Sequence, residues 1–215
     1  EPTGDVTVHT ASASSNSVDI SEPLRMELER APTVGDRATN AVLQEDEGQL
    51  TVQGDPTEGA LVVASRKIGL TEAILDAQYE RVGEVPFSSE RKMMSTLHTD
   101  SQHKGHIQVF TKGAPDVLLG RCDRERAGDT SRPLSRERRS EILQANEQLA
   151  GEALRTLGVA ARYLPEDGFE PDNIDDDLEQ DLIFVGLIGM IDPPREEAKQ
   201  AVAQARGAGI RPVMI

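Results

Sequence analysis

The residues with the clearest chemical potential lie in three short segments of the sequence, residues 54–61, 86–95 and 110–116. Phe87 is one of four phenylalanines and follows Pro86 at the end of a strand-like run, beside a polar loop. An aromatic side chain in such a place can stack on a flat base, which contributes about 1–3 kcal/mol per base in single-strand binding. It can equally belong to the hydrophobic core, and the residue pattern alone leaves both alternatives open.

Lys112 and Glu58 are the charged residues of these segments with the most specific settings. Lys112 lies between a strand-like run and the tight turn that starts at Gly113. A glycine there allows a ligand to approach the backbone closely, although Lys112 can also be an ordinary surface lysine. Glu58 is the third helical residue after Asp55, where it can close a capping box. An ionised carboxylate also accepts hydrogen bonds from an amino group, so both roles are open to Glu58.

The composition excludes several classes of protein. The 215 residues include 23 basic and 38 acidic side chains, and the resulting net charge of −15 argues against a nucleic-acid-binding surface. The longest apolar run, residues 182–191, falls well short of the roughly 20 residues that cross a membrane. The single cysteine, Cys122, cannot form an internal disulfide, which excludes a disulfide-built secreted scaffold.

Several standard motifs are missing from the sequence. It contains no P-loop, no dinucleotide-binding glycine fingerprint and no Gly-x-Ser-x-Gly elbow. The acids concentrated in residues 166–181 lack the spacing of a calcium loop and indicate a solvated acidic loop. His98, His103 and His106 could suggest a metal site, but their positions are more typical of a hairpin turn. We therefore predict no metal site.

Hydrophobic periodicity and turn residues predict helices that alternate with hairpin-type strands. Helices are predicted after Ser21 and Thr71 and over residues 56–68, 114–120 and 135–154, and strands over residues 42–52 (a hairpin), 83–87, 93–98, 106–111 and 157–163. The arginine-rich residues 121–139 are predicted to form an exposed loop that leads into a helix. Residues 182–191, 195–206 and 210–215 are typical of strand, helix and strand. The predicted class is α+β, followed by an α/β fragment.

The three segments and two later ones resemble, in order and spacing, those of the P-type cation-transporting ATPases, most closely the calcium-pump-like branch. The segments read GDPTEGAL, PFSSERKMMS and FTKGAPD, followed by GMIDPPR at residues 189–195 and AGIRPVMI at residues 208–215. The similarity covers roughly residues 40–215. It implies that residues 1–190 form a nucleotide-binding domain, with an antiparallel sheet flanked by helices. Residues 191–215 would then be a hinge and a truncated strand-helix-strand piece of the phosphorylation domain.

The resemblance also implies an ATP site, with a role for each matching residue. Phe87 would stack on adenine, Glu58 would lie near the adenine amino group, and Lys112 would line the pocket. Arg155 would reach the phosphates, which suit its planar guanidinium. The full set of implied binding residues is Glu58, Phe87, Met94, Lys112, Gly113, Arg155 and Leu157.

The chain departs from the family, or lacks a family part, at several points. Some relatives have an arginine where this chain has Ser89, and Arg91 is only a weak substitute for that phosphate contact. The family's phosphorylated Asp-Lys-Thr-Gly-Thr sequence does not occur here, so we expect no catalytic residue in this chain. The Mg²⁺ that accompanies ATP would be bound by aspartates elsewhere. Asp192 and Arg195 match the hinge between the two domains.

The resemblance implies a cytoplasmic piece of a longer integral membrane protein, monomeric when isolated. Its expected partners are ATP and the phosphorylation, actuator and transmembrane domains of the pump, and no nucleic acid. The net charge predicts weak, salt-sensitive ATP binding by the isolated domain. A free-standing phosphohydrolase is disfavoured by the missing aspartate motif. An acidic protein-interaction domain that binds no nucleotide is the alternative to test, and the transported cation stays open.

Overall fold

The computed structural model describes residues 9–10, 13–14, 22–46, 49–171, 174–191 and 196–213. The helices are α1 (Glu22–Arg37), α2 (Pro56–Lys67), α3 (Glu72–Gln78), α4 (Pro115–Arg121), α5 (Arg136–Gly151) and α6 (Glu196–Gly207), with a 3-10 helix at Asp176–Glu179. The strands are β1 (His9–Thr10), β2 (Ala13–Ser14), β3 (Val42–Asp46), β4 (Gln49–Gln53), β5 (Tyr79–Ser88), β6 (Met93–Asp100), β7 (His106–Gly113), β8 (Cys122–Ala127), β9 (Thr130–Pro133), β10 (Arg155–Pro165) and β11 (Leu182–Met190).

A seven-stranded sheet with the order β5-β6-β7-β10-β11-β8-β9 organises the chain. Its neighbouring strands run antiparallel, apart from β11 and β8, which are parallel. The pairs β1–β2 and β3–β4 form two small separate sheets. The predicted α+β class, with an antiparallel sheet flanked by helices, is confirmed.

Helices cover the two faces of this sheet. Val159 and Ala160 are neighbours on β10, so their side chains point to opposite faces. Val159 packs with Val34 of α1 and the adjacent Ala38. Ala160 packs in a second cluster with Leu118 of α4 and Ile142 of α5. We call these the α1 face and the α4 face.

Short-range capping explains where the helices begin. Asp55 Oδ1 accepts hydrogen bonds from the backbone amides of Thr57 at 2.8 Å and Glu58 at 3.2 Å, at the start of α2. Pro56 occupies the first helical position, where a missing amide hydrogen costs nothing. Thr71 caps α3 in the same manner. The cap at Asp55 and the start of a helix after Thr71 were predicted from the sequence and are confirmed.

Two predicted segments differ from the structure, and a third is longer. Residues 121–139 are not a loop: β8 and β9 form a hairpin, stabilised by the cross-strand pair of Glu125 with Arg132 at 2.8 Å. The strand predicted at residues 210–215 is absent from residues 210–213, where Ile210 and Val213 are 62% and 75% exposed; no described strand pairs with them. Helix α1 extends to Arg37, beyond the short helix predicted after Ser21.

Two hinge residues and part of the C-terminal piece lie outside this description. Asp192 and Arg195 are not among the described residues, and neither are residues 214–215. The helix predicted at residues 195–206 corresponds to α6. None of the helices in the described ranges has the length and apolar character needed to cross a membrane.

Candidate functional site

Strand register places three of the predicted residues on one face, at the same end of the sheet. Met94 on β6 is paired with Lys112 on β7, and Lys112 is paired with Val159 on β10. Paired residues of adjacent antiparallel strands lie on the same face, which here is the α1 face. Leu157 is two residues before Val159 and therefore shares that face. Met94 is 2% exposed, and Leu157 is partly buried.

A β-bulge places Phe87 next to this row. Val85 pairs with Ser95, and Ser88 pairs with Met93, so Pro86 and Phe87 together lie opposite the single residue Met94. Bulges bend a strand and redirect its side chains, and they are common beside functional sites. The Phe87 side chain is 61% exposed. The interpretation of Phe87 as a core residue is therefore wrong.

A buried ion pair forms the floor of the site. Lys112 Nζ lies 2.6 Å from Glu58 Oε1 and also donates to the backbone carbonyl of Ala38. The side chains of Lys112 and Glu58 are only 9% and 15% exposed. Burial lowers the pKa of Lys112, and the hydrogen bond and charge of Glu58 oppose that shift. The surface-lysine alternative is therefore wrong.

Glu58 does not close the capping box that its position allowed. Its Oε2 atom accepts a 2.8 Å hydrogen bond from the backbone amide of Asn40, while Oε1 binds Lys112. Asp55 caps α2 without it. The carboxylate thus joins α2 to β7 and to the segment between α1 and β3.

The space beside Gly113, where a ligand was expected to approach, is occupied by residues of the chain itself. A Cβ atom at this position would lie 2.5 Å from Met93 Cγ and 2.7 Å from the Lys92 carbonyl oxygen. The close approach that glycine permits is therefore made by the neighbouring strand of the chain itself. Any ligand contact at Gly113 would come from its backbone.

Arg155 lies near the N-terminus of α2, at the start of β10. Slight burial raises the pKa of Asp55, but hydrogen bonds from the backbone of Glu58 and Thr57 bring it below its usual value, and the charge of Arg155 lowers it further. Arg155 is exposed, and with Leu157 and Val159 it occupies every second position of β10, so the three side chains share one face. Its guanidinium is therefore available on the same side of the sheet as the ion pair.

Lys92 is a further cation near the candidate site, and it was not among the residues selected from the sequence. It is exposed, has a φ of 53°, and ends the turn between β5 and β6. Its amide donates to the Ser88 carbonyl at 2.7 Å, and its carbonyl accepts from the Ala114 amide at 3.0 Å. A lysine inside the segment of residues 86–95, two residues before Met94, was the signal available in the sequence.

Arg91 does not serve as the substitute phosphate ligand. Its Nη1 atom lies 2.5 Å from Glu179 Oε2, and its Nη2 atom donates to the Pro86 carbonyl. The side chain is only 16% exposed. Arg91 is therefore committed to contacts within the chain.

Other possible sites are less convincing. A surface cavity of about 370 Å³ lies at the opposite end of the sheet, beside Asp100 and His106, and is lined largely by polar side chains. No three His, Cys, Asp or Glu side chains of the described residues are arranged to hold a metal ion. His98 is buried against Tyr79 and Phe110, whereas His103 contacts Asp100.

Comparison with known proteins identifies clear relatives. Residues 28–197 match the family described as P-type ATPase, cytoplasmic domain N. A calcium-transporting ATPase of Bacillus subtilis (strain 168) is 38% identical over 215 residues, which is 100% of this chain and 23% of that protein. Calcium-transporting ATPase 1 of Bacillus cereus is 42% identical over 163 residues, 75% of this chain and 18% of that protein.

A relative with a broader name is similar over most of the chain. The probable cation-transporting ATPase F of Mycobacterium tuberculosis is 37% identical over 180 residues, 83% of this chain and 19% of that protein. The chain spans less than a quarter of the length of each of these three relatives.

Proposed function

Because the chain belongs to the family of P-type ATPase cytoplasmic N domains, we propose that it binds ATP and presents the terminal phosphate to a catalytic aspartate outside this chain. The observation that carries the proposal is the exposed Phe87 ring on the strand segment opposite Met94, which in turn pairs with Lys112 of the buried Lys112–Glu58 ion pair. An exposed aromatic ring is costly to leave in water unless something covers it. A purine base is of suitable size and flatness.

The chemistry of the ion pair supports adenine as the ligand. Lysine has three donor hydrogens. Among the described residues, Lys112 donates to Glu58 and to the Ala38 carbonyl. The third hydrogen can be donated to a ring nitrogen of adenine. A carboxylate has about four acceptor positions. Glu58 uses one on Asn40 and one on Lys112, so it can accept a further bond from the adenine amino group. Met94 supplies an apolar wall next to Lys112.

Two exposed cations support the placement of the phosphates. Arg155 and Lys92 lie at the same end of the sheet as Lys112, since β10 and β6 both begin there. Guanidinium binds phosphate oxygens in pairs, whereas an ammonium acts as a point charge. The net charge of −15 repels ATP at long range. Local contacts must therefore provide the affinity.

Metal binding and phosphoryl transfer are proposed to depend on other parts of the pump. Mg²⁺ prefers carboxylates together with nucleotide phosphates, and the described residues offer no cluster of acids for it. The sequence has no Asp-Lys-Thr-Gly-Thr motif to accept a phosphate. In this chain the residues bind and orient ATP, and the phosphorylation, actuator and transmembrane domains would complete the pump. The names of the two Bacillus relatives favour calcium as the transported cation.

An NMR titration tests the proposal. ATP is added to the 215-residue chain and to Lys112→Met, with Lys104→Met as a control that removes an equal charge at the far end of the sheet. We expect saturable amide shifts around residues 58, 87, 92 and 112, weakened in Lys112→Met and unchanged in Lys104→Met. A folded protein that shows no shifts at millimolar ATP would contradict the proposal and favour the acidic protein-interaction domain.

A further inference from the structure

Glu179 is a buried carboxylate in a segment of otherwise exposed acids. Its side chain is 1% exposed, whereas Asp176 and Asp181 are 59% and 73% exposed. The 3-10 helix Asp176–Glu179 brings it to the sheet. Burial of a carboxylate is expensive unless it is paired and hydrogen-bonded, so its partners indicate what it is for.

The partners of Glu179 form a chain of contacts that ends at the bulge of β5. Oε2 binds Arg91 Nη1 at 2.5 Å, and Oε1 accepts from Ser95 Oγ at 2.9 Å. Ser95 Oγ lies 2.8 Å from Thr111 Oγ1. The second guanidinium nitrogen of Arg91 donates to the carbonyl of Pro86, the residue before Phe87.

These contacts lie on the α4 face of the sheet, behind the candidate site. Thr111 precedes Lys112 on β7, so the two side chains point to opposite faces. Strand β5 is at the edge of the sheet, and its bulge interrupts the regular pairing opposite Met94. Arg91, itself bound by Glu179, therefore anchors the Pro86 carbonyl in a part of the edge strand where the backbone hydrogen bonds to β6 are interrupted.

We propose that Arg91 and Glu179 are positioning residues that hold the Pro86–Phe87 bulge so that the Phe87 ring is presented to the adenine base. The pair does not touch the ligand; it orders the backbone that carries the stacking ring. The part of this inference that names adenine as the ligand of Phe87 rests on the proposed function. The ordering of the ring is a property of the chain without ligand.

The first measurement uses no nucleotide. NMR relaxation of the Phe87 ring and the amide shifts of Phe87 and Ser88 are compared in wild type, Glu179→Gln and Arg91→Lys. The lysine keeps the charge but cannot reach two acceptors with a planar fork. We expect a more mobile ring in both variants. Unchanged Phe87 signals in either folded variant overturn the proposal.

Glu125→Gln is the matched control. Glu125 is also a buried carboxylate, 4% exposed, and it binds two arginines, Arg132 and Arg138, each at 2.8 Å. It lies on β8, far along the sheet order from β5. We expect it to leave the Phe87 ring as ordered as in wild type. If the Phe87 ring became as mobile in Glu125→Gln as in Glu179→Gln, the effect would reflect a general loss of stability, and the proposal would also be overturned.

The second measurement separates the base from the phosphates. We expect Glu179→Gln to weaken ATP binding roughly tenfold, which lies within the range for stacking of one base, and to leave inorganic tripolyphosphate binding unchanged. In a Phe87→Ala background the same change should have no further effect. If wild type binds no ATP, the proposed function fails, but the ring measurement still decides the role of Arg91 and Glu179. An equal loss for tripolyphosphate overturns a role through the ring.

Discussion

Lys112 Nζ lies 2.6 Å from Glu58 Oε1, in a contact that connects the seven-stranded sheet to helix α2. The two residues are 54 positions apart in the chain. Both side chains are largely shielded from water, so each charge depends on the other. The same pair is therefore proposed to stabilise the fold and to bind the base.

Removal of Lys112 should leave an uncompensated carboxylate. We expect Lys112→Met to lower the free energy of unfolding by about 3 kcal/mol, because the Glu58 carboxylate loses its ion-pair partner in a partly buried position. The double variant Lys112→Met/Glu58→Gln should lose less than the sum of the single variants. Urea denaturation measures all three.

An exposed ion pair is the control for that cycle. Asp129 is 74% exposed and binds Arg30 at 2.6 Å. We expect Asp129→Asn to change the stability by less than about 0.5 kcal/mol, as is usual at a surface. Strictly additive losses at Lys112 and Glu58 would contradict the structure.

Phe87→Ala should separate binding from stability. Since the ring is 61% exposed, we expect a stability change within about 0.5 kcal/mol but roughly tenfold weaker ATP binding. Phe87→Tyr should retain binding. Ile74→Ala, another exposed apolar residue at 53%, should affect neither. Calorimetric titration and thermal melts measure both effects, and a large stability loss in Phe87→Ala would show that the ring is a packing residue.

Gly113 and Gly120 should respond in opposite directions to a methyl group. At Gly113 the new Cβ would lie 2.5 Å from Met93 Cγ, so we expect Gly113→Ala to cost about 1–3 kcal/mol. At Gly120, in helix α4, a Cβ meets nothing within 4 Å. Gly120→Ala should stabilise by about 0.5 kcal/mol because alanine has the higher helix propensity. The melting temperatures of both variants are compared with that of wild type. If Gly113→Ala melted at or above the wild-type temperature, as expected for Gly120→Ala, the close packing at Gly113 would be contradicted.

His98 should make the fold sensitive to acid. Burial, assisted by the charges of Arg37 and Arg81, lowers the pKa of His98 from 6.5 to about 3. Between these values the unfolded chain binds one more proton than the folded chain. The stability contributed by His98 is therefore complete above about pH 6.5 and falls with decreasing pH, by up to about 1.4 kcal/mol per unit.

Denaturation curves between pH 7 and 5 test this dependence. We expect His98→Gln, which can keep the bond to Thr96 Oγ1, to show a smaller loss of stability on acidification than wild type. His106→Gln alters an exposed histidine and should behave as wild type. Parallel curves for wild type and His98→Gln would contradict a buried neutral imidazole.

Cys122 should report on unfolding. Burial raises the pKa of this thiol to about 12, although Arg139 lowers it slightly, and the side chain is 2% exposed. We expect no reaction with a thiol reagent at pH 8 in the native state and complete reaction in denaturant, because the thiolate is the reactive form. Rapid labelling of the folded protein would be inconsistent with its place in the core.

Local features of the fold could be predicted because they depend on neighbours within a few residues. Asp55 caps α2 through amides two and three residues further on, and a helix begins directly after Thr71. The apolar runs that became β6, β7, β10 and β11 carry their own strand propensity. The hairpin β8–β9 was missed since its charged residues show no apolar alternation. Its strand character comes from pairing with β11.

Residue types, spacing and order were enough to predict most of the helices and strands, the family and the segments that supply the candidate ligands, because these features are local. Which of these residues meet became visible only in the three-dimensional fold. It exposed Phe87, joined Lys112 to Glu58 instead of a capping box, and turned Arg91 to Glu179, 88 residues away. Such contacts depend on strand order and register, which are set by how the whole sheet buries its two faces.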